Sequence, residues 1–256
     1  MIECIKVVNL ERSPERLARF IALHPGVPAE RFPAVDGGTL DRDACVRDGI
    51  ITDDNHYRTG AIGCAMSHIN LWRECAAGTI PFHVVEDDII LRHDFQAMAS
   101  AALATLADWD IVLWTHNLDW PLQIRPSPGF GVVVVQYDYE ALQHEAFVSA
   151  TAPTTLMPLV AAAGTGCYSV SPRGAARILN DCLPIGTAMP RYLEKLEGGW
   201  TNTGIDVELS RHYADWQAFV ALPQLAAANH DQNNSSIRGH LAAMHDFRIA
   251  NRAPID

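Results

Sequence analysis

Apolar positions in the first 114 residues come in short unbroken runs separated by amphipathic stretches. Ile5, Val7 and Val8 fall in a run at 2–10 that reads as a strand closed by Asn9. Ser13, as an N-cap, and Pro14, in the first turn, then open a helix that continues from Glu15 to Leu23. Residues 31–38 read as a short strand ending in the glycine turn Gly37-Gly38. Residues 41–58 are polar and charged and predict a helix followed by a surface loop. Over 60–77, Ile62, Ala65, Ile69, Trp72 and Ala76 recur at helical spacing and form one buried face, with Ser67 and His68 on its flank. A histidine placed there is more often structural than a ligand. Gly78, tolerant of the left-handed conformation, ends that helix.

The run at 80–91 is the pivot of the pattern. Phe82, Val84 and Val85 predict a strand buried on both faces, and Ile89 resumes the apolar run after Glu86, Asp87 and Asp88. Acids wedged into an apolar run cost several kcal/mol each to bury unless something positive compensates them. Mg²⁺ or Mn²⁺ suits carboxylate oxygens, and in open α/β sheets ligands gather at the carboxyl ends of strands. The plainer alternative is a solvated strand-to-loop turn. Residues 94–107 then read as a helix and 110–114 as a strand. This alternation predicts a three-layer α/β fold, a mostly parallel central sheet with helices on both faces.

Beyond residue 114 the pattern is less regular. Four consecutive valines at 132–135 predict a strand amid many prolines, and the long irregular span 115–163 is the expected place for an acceptor site or lid. Residues 164–171 read as a strand preceded by Gly164 and Gly166, which permit close backbone approach, and Pro172 starts a helix through Ala175, Ile178 and Leu179. Residues 202–209 begin another helix, on which Asp206 and Glu208 are two apart and point in different directions. The tail around His230 is polar and turn-rich. It reads as an extension, with metal or phosphate contact left open.

Composition narrows the partners. At 48% hydrophobic and 19% charged the chain is ordinary globular material, and its 256 residues suffice for one large domain. A formal charge of −11 disfavours nucleic acid or an anionic membrane surface as general partners. Six cysteines without a CxxC pair fit a reduced, cytoplasmic setting, with Cys64 and Cys75 packing as small hydrophobes. Charges near the start stand where a signal peptide would be apolar, and no apolar run approaches ~20 residues, so no membrane span is expected. Arg12 and Arg16, four apart at a helix start, make a plausible anion or nucleotide site. Pairing with Glu11 and Glu15 on a solvated helix is equally compatible with the spacing.

Several stretches, in order, resemble one family: Val8-Asn9-Leu10-Glu11-Arg12 to Arg16, Arg31-Phe32-Pro33-Ala34-Val35-Asp36-Gly37, Gly60-Ala61-Ile62-Gly63-Cys64-Ala65-Met66-Ser67-His68, and Val85-Glu86-Asp87-Asp88. The segment 164–175 and Ser235-Ser236-Ile237 resemble it too. The family is glycosyltransferase family 25, of the lipooligosaccharide-biosynthesis type, which also includes collagen galactosyltransferases. The resemblance implies a GT-A fold over a single domain, 1–256, with a nucleotide-sugar-binding half at 1–114 and an acceptor-side half at 115–256. It implies transfer of a hexose, often galactose, from a UDP-sugar with inversion at the anomeric carbon, to a glycan hydroxyl of lipooligosaccharide or surface polysaccharide. A lipid-linked acceptor would bring a cytoplasmic protein to the inner membrane. On the same basis Asp88, with Glu86 or Asp87, holds Mn²⁺ or Mg²⁺ against the donor diphosphate, and Asn9, Arg12 and Arg16 lie near the nucleotide. Asp36, Ser67 and His68, from the matching motifs, join the substrate-binding set. Asp206 or Glu208 is the expected base, and His230 a further metal or diphosphate ligand. The competing readings are a nucleotidyltransferase or nucleotide-sugar hydrolase on the same fold, and a non-catalytic nucleotide-sugar-binding protein.

Overall fold

The computed structural model describes residues 4–118, 120–127, 129, 131–136, 144–189 and 202–228. Among the described residues the strands are β1 (Ile5–Asn9), β2 (Ala29–Pro33), β3 (Phe82–Glu86), β4 (Ile89–Leu91), β5 (Ile111–Leu113), β6 (Leu122–Ile124), β7 (Val133–Val135), β8 (Thr155–Ala161), β9 (Cys167–Val170), β10 (Ala218–Leu222) and β11 (Ala226–Ala228). The helices are α1 (Pro14–Leu23), α2 (Arg42–Arg47), α3 (Thr59–Ala77), α4 (Phe95–Leu103), α5 (His144–Val148), α6 (Pro172–Cys182) and α7 (Ile205–Ser210). Nine strands form one sheet in the order β2-β1-β3-β9-β5-β10-β8-β6-β7, and β4 pairs with β11 separately.

The pleat assigns alternate side chains to two cores, as a sheet covered on both faces requires. Val8, Val84, Ile111, Leu113, Tyr168 and Val170 face the side of Ile69 and Trp72 from α3 and Ile178 from α6. Val7, Val85, Val112 and Cys167 face Phe20 of α1 and Phe95 and Ala99 of α4. Helices on both faces of a central sheet therefore follow the expected layering.

Strand direction does not. β1 is parallel to β2 and β3, and β5 to β10, but β9 is antiparallel to both β3 and β5, and β8, β6 and β7 continue antiparallel. The sheet is mixed rather than mostly parallel. A strand buried on both faces is a continuous apolar run whichever way its neighbours point, and all four residues of β9 are buried, so its sequence carries burial without direction.

Three local expectations also change. Ser67 and His68 are almost wholly buried rather than flanking, because Val35 and Tyr168 pack on them; the stretch after α2 is not wholly a surface loop, since Ile50, Ile51 and Tyr57 enter the core. Gly78 caps α3 in an extended conformation, φ −98°, not a left-handed one. Ser13 stands at the N-cap of α1 with no capping bond from its hydroxyl. Ser171 does cap α6, its Oγ accepting from the Gly174 N–H at 2.9 Å, a contact worth about 1 kcal/mol.

Candidate functional site

The acids occupy the carboxyl end of β3, where Glu86 closes the strand and Asp87-Asp88 turns the chain into β4. β1 lies parallel alongside with Val8 opposite Glu86, so Asn9 meets the triplet as the next residue out. α1 leaves from the same edge. A cleft of about 350 Å³ opens there, with Arg12 and Arg16 on one side, Asp36, Gly37 and Gly38 on another, and Cys64, Ser67 and His68 of α3 beside the three acids.

Each acid has its own environment. The Asp87 carboxylate accepts from Asn9 Nδ2 at 2.6 Å and pairs with Arg16. Arg16 also reaches Asp88 at 3.1 Å. Asn9 is itself held, donating to the Ser13 carbonyl at 2.9 Å and accepting from Arg31 Nε at 3.1 Å. Glu86 points inward. Its Oε1 accepts from Thr165 Oγ1 at 3.0 Å and lies 3.6 Å from His68 Nε2. Arg12 pairs with Asp36. The arginines thus pair across the cleft with Asp36, Asp87 and Asp88, not with Glu11 and Glu15.

Proton affinities follow this crowding. Asp88 is pushed up to about 6 by desolvation in the cleft and then by the Glu86 charge, against the pull of Arg16. Desolvation also raises Asp87, in spite of Asn9 and Arg16. Burial acts to raise Glu86, but His68 and Thr165 outweigh it and leave the carboxyl below its ordinary value. The hydrogen bond from Arg12, then that from Gly38, lowers Asp36.

The structure brings Asn9, Arg12, Arg16, Asp36, Ser67, His68, Glu86, Asp87 and Asp88 to this one cleft or its wall. Ser67 serves there as a clasp, accepting from the Val35 N–H at 2.9 Å and donating to the Gly63 carbonyl at 2.7 Å. His68 Nδ1 stands 2.8 Å from the Tyr168 hydroxyl, to which Trp72 Nε1 donates at 3.0 Å. Asp206 sits next to this wall. Its Oδ2 accepts from the Gly164 N–H at 3.0 Å, and burial raises its carboxyl, with Glu86 adding to the effect. Glu208 is turned the other way into the core, where Asn202 and Arg211 occupy its carboxylate. His230 and 235–237 lie outside the described residues. Thr165 and Tyr168 were not anticipated. Thr165 stands in a glycine-flanked segment resembling the family, and that was the available signal; a strand tyrosine offers none.

Within the irregular span, β6, β7 and β8 extend the sheet away from the cleft. Among the described residues no helix is long and apolar enough to cross a membrane.

Comparison with known proteins bears on the whole arrangement. The chain is 33% identical over 125 residues to a Drosophila pseudoobscura pseudoobscura protein named "Glycosyltransferase 25 family member", a match covering 43% of this chain and 20% of that protein. An Anopheles gambiae protein of the same name is 34% identical over 122 residues, covering 42% and 21% respectively. A Rattus norvegicus protein named "Probable inactive glycosyltransferase 25 family member 3" is 25% identical over 247 residues, covering 88% of this chain and 38% of that protein. The chain therefore spans between a fifth and two-fifths of the length of these relatives. The sequence model for "Glycosyltransferase family 25 (LPS biosynthesis protein)" matches residues 3–190. That interval holds every residue lining the cleft and stops short of Asp206, Glu208 and His230. On this match, which covers well over half of its length, the chain belongs to glycosyltransferase family 25.

Proposed function

We propose that this domain transfers a hexose, galactose in the first instance, from a UDP-sugar to a glycan hydroxyl, with inversion and with help from Mn²⁺ or Mg²⁺. The observation that carries the reading is the uncompensated acid cluster at the open end of β3. Asp87 and Asp88 share a single guanidinium, that of Arg16, Glu86 turns inward to Thr165 and His68, and Asp88 remains half exposed with its carboxyl raised to about 6. Oxygen donors carrying two net negative charges fit a hard divalent cation, and Asp88 with Asp87 would hold it. Bound there, the cation supplies a counter-charge to the diphosphate that departs with the sugar bond.

The chain's own groups do the rest. Arg12 and Arg16 flank the start of α1, where the helix dipole also favours an anion, and bind the diphosphate. Asp36 orients Arg12. Asp206, whose burial makes it more basic than an ordinary carboxylate, takes the proton of the acceptor hydroxyl as that oxygen bonds to the anomeric carbon and the bond to UDP breaks. Glu208, already committed to Asn202 and Arg211, is the less suitable base. A GT-A fold, a cytoplasmic setting and a lipid-linked glycan acceptor at the inner membrane complete the proposal.

Calorimetric titration of UDP and UDP-galactose, with and without Mn²⁺, tests it on the wild type and Asp88→Ala. The expected result is manganese-dependent binding that the substitution abolishes while the fold, read by circular dichroism, is intact. Unchanged binding or activity in Asp88→Ala would sink the cation assignment. The name of the rat relative supports a second reading, nucleotide-sugar binding without turnover. It predicts the same calorimetry but no UDP release with any glycan acceptor.

A further inference from the structure

Three side chains at the inner wall of the cleft form a group distinct in chemistry from the oxygen-only pair Asp87 and Asp88. Cys64 and His68 are one helical turn apart on α3, so their donor atoms project from the same side, and β3 brings Glu86 opposite them. The Cys64 Sγ, a His68 ring nitrogen and a Glu86 carboxylate oxygen all lie within 4.8 Å of one another. Independently, His68 Nε2 is completely buried and makes no hydrogen bond among the described residues; the nearby Glu86 Oε1 is 3.6 Å away. Leaving a buried ring nitrogen without a hydrogen bond costs free energy, and this one faces the Glu86 carboxylate at 3.6 Å.

From this geometry we propose a zinc-type cation site formed by Cys64, His68 and Glu86, with its fourth position open to the cleft. The spacing suits the ion. Ligand atoms bound tetrahedrally to zinc at about 2.0–2.1 Å stand roughly 3.4 Å apart, close to the 3.6 Å between His68 Nε2 and Glu86 Oε1. The sulfur must approach by less than the length of a bond, within the reach of a rotamer change on a half-buried residue. Thiolate and imidazole select zinc over magnesium or manganese, so the two cation preferences in the cleft differ. The would-be ligands are already held in place: the Tyr168 hydroxyl at His68 Nδ1 fixes the ring, and Thr165 fixes Glu86. On binding, the S–H bond of Cys64 breaks, the sulfur–metal bond forms, and the proton passes to solvent. A similar trio in the core, Cys182, Glu208 and His212, is the weaker candidate, because the Arg211 guanidinium already occupies the Glu208 carboxylate.

The test needs neither nucleotide nor turnover, so it stands or falls separately from the transferase reading. Metal-free protein is titrated with Co²⁺, and absorbance is followed for the sulfur-to-cobalt charge-transfer band. One tight equivalent is expected, displaced by Zn²⁺ but not by excess Mg²⁺. Cys64→Ser should remove the band, and Glu86→Gln, which keeps the shape of the side chain, should weaken affinity by roughly tenfold or more. Cys182→Ser should leave the band unchanged. Absence of the band in the wild type, its persistence in Cys64→Ser, or its loss in Cys182→Ser would each overturn the assignment.

Discussion

Gly63→Ala sets two effects of opposite sign against each other. Gly63 lies inside α3, where replacing glycine by alanine ordinarily favours the helix by about 1 kcal/mol. Here the added Cβ would stand 2.5 Å from the Gly37 nitrogen, 2.7 Å from the Val35 carbonyl oxygen and 2.8 Å from the Gly37 Cα. All three are backbone atoms, so no side chain can swing aside, and the loop must move bodily. Overpacking of this kind costs about 1–3 kcal/mol, and three simultaneous overlaps argue for the upper end. The net expectation is a loss of about 1–2 kcal/mol, or roughly 2–8 °C in Tm for a chain of this size. Function should suffer as well, because the displaced loop carries Asp36, Gly37 and Gly38 into the cleft. Thermal and urea unfolding of Gly63→Ala measure the first effect and UDP titration the second. Gly131→Ala, where a Cβ meets nothing within 4 Å, is the control and should be neutral. A Gly63→Ala protein as stable as the wild type or more so would refute the close approach of α3 to this loop.

Arg16→Ala should weaken UDP binding by about tenfold or more, since a charge-assisted hydrogen bond contributes about 1.5–3 kcal/mol; unchanged affinity in calorimetry would remove Arg16 from the donor site. Asp110 is fully buried and accepts from Arg173 Nε at 2.9 Å, Arg177 Nη1 at 3.1 Å and the Gln217 N–H at 2.9 Å. Asp110→Ala should cost about 2–3 kcal/mol in urea unfolding, below the full penalty for a broken buried pair because both arginines can turn to water; a loss under about 0.5 kcal/mol, within the usual range of surface substitutions, would contradict this. Burial pulls His83 and His116 from an ordinary 6.5 down to about 4. A lowered histidine lets the unfolded chain bind protons that the native state refuses, so stability should be steady above about pH 6.5 and fall as pH drops towards 4. For His116 the loss is on the order of 3 kcal/mol by pH 4. His116→Gln should flatten the slope of urea midpoints between pH 7 and 4, and a flat wild-type profile would refute the assignment.

The sequence by itself determined the layering and which residues gather at the cleft by the end of β3. Runs such as Ile111-Val112-Leu113 and Phe82-His83-Val84-Val85 are short-range signals of burial, and the acids that interrupt the second run mark where a strand meets solvent. Arg12 and Arg16 were legible because a helix start follows from Ser13-Pro14 and fixes which side they share. The tertiary structure decided what depends on partners distant in sequence. Strand direction at β9 was one such matter, since burial on both faces hides orientation. The burial of Ser67 and His68 was another, set by the 34–38 loop and the strand bearing Tyr168, roughly 30 and 100 residues away in the chain. Asp206 and Glu208 show the same division most plainly. The alternation of a helix says that they diverge, but only the packing of α7 says that one lies against the Gly164 backbone by the cleft wall while the other is locked into the core by Asn202 and Arg211. Periodicity records which residues leave water; which residues they then meet is fixed by contacts between segments whose separation no local pattern encodes.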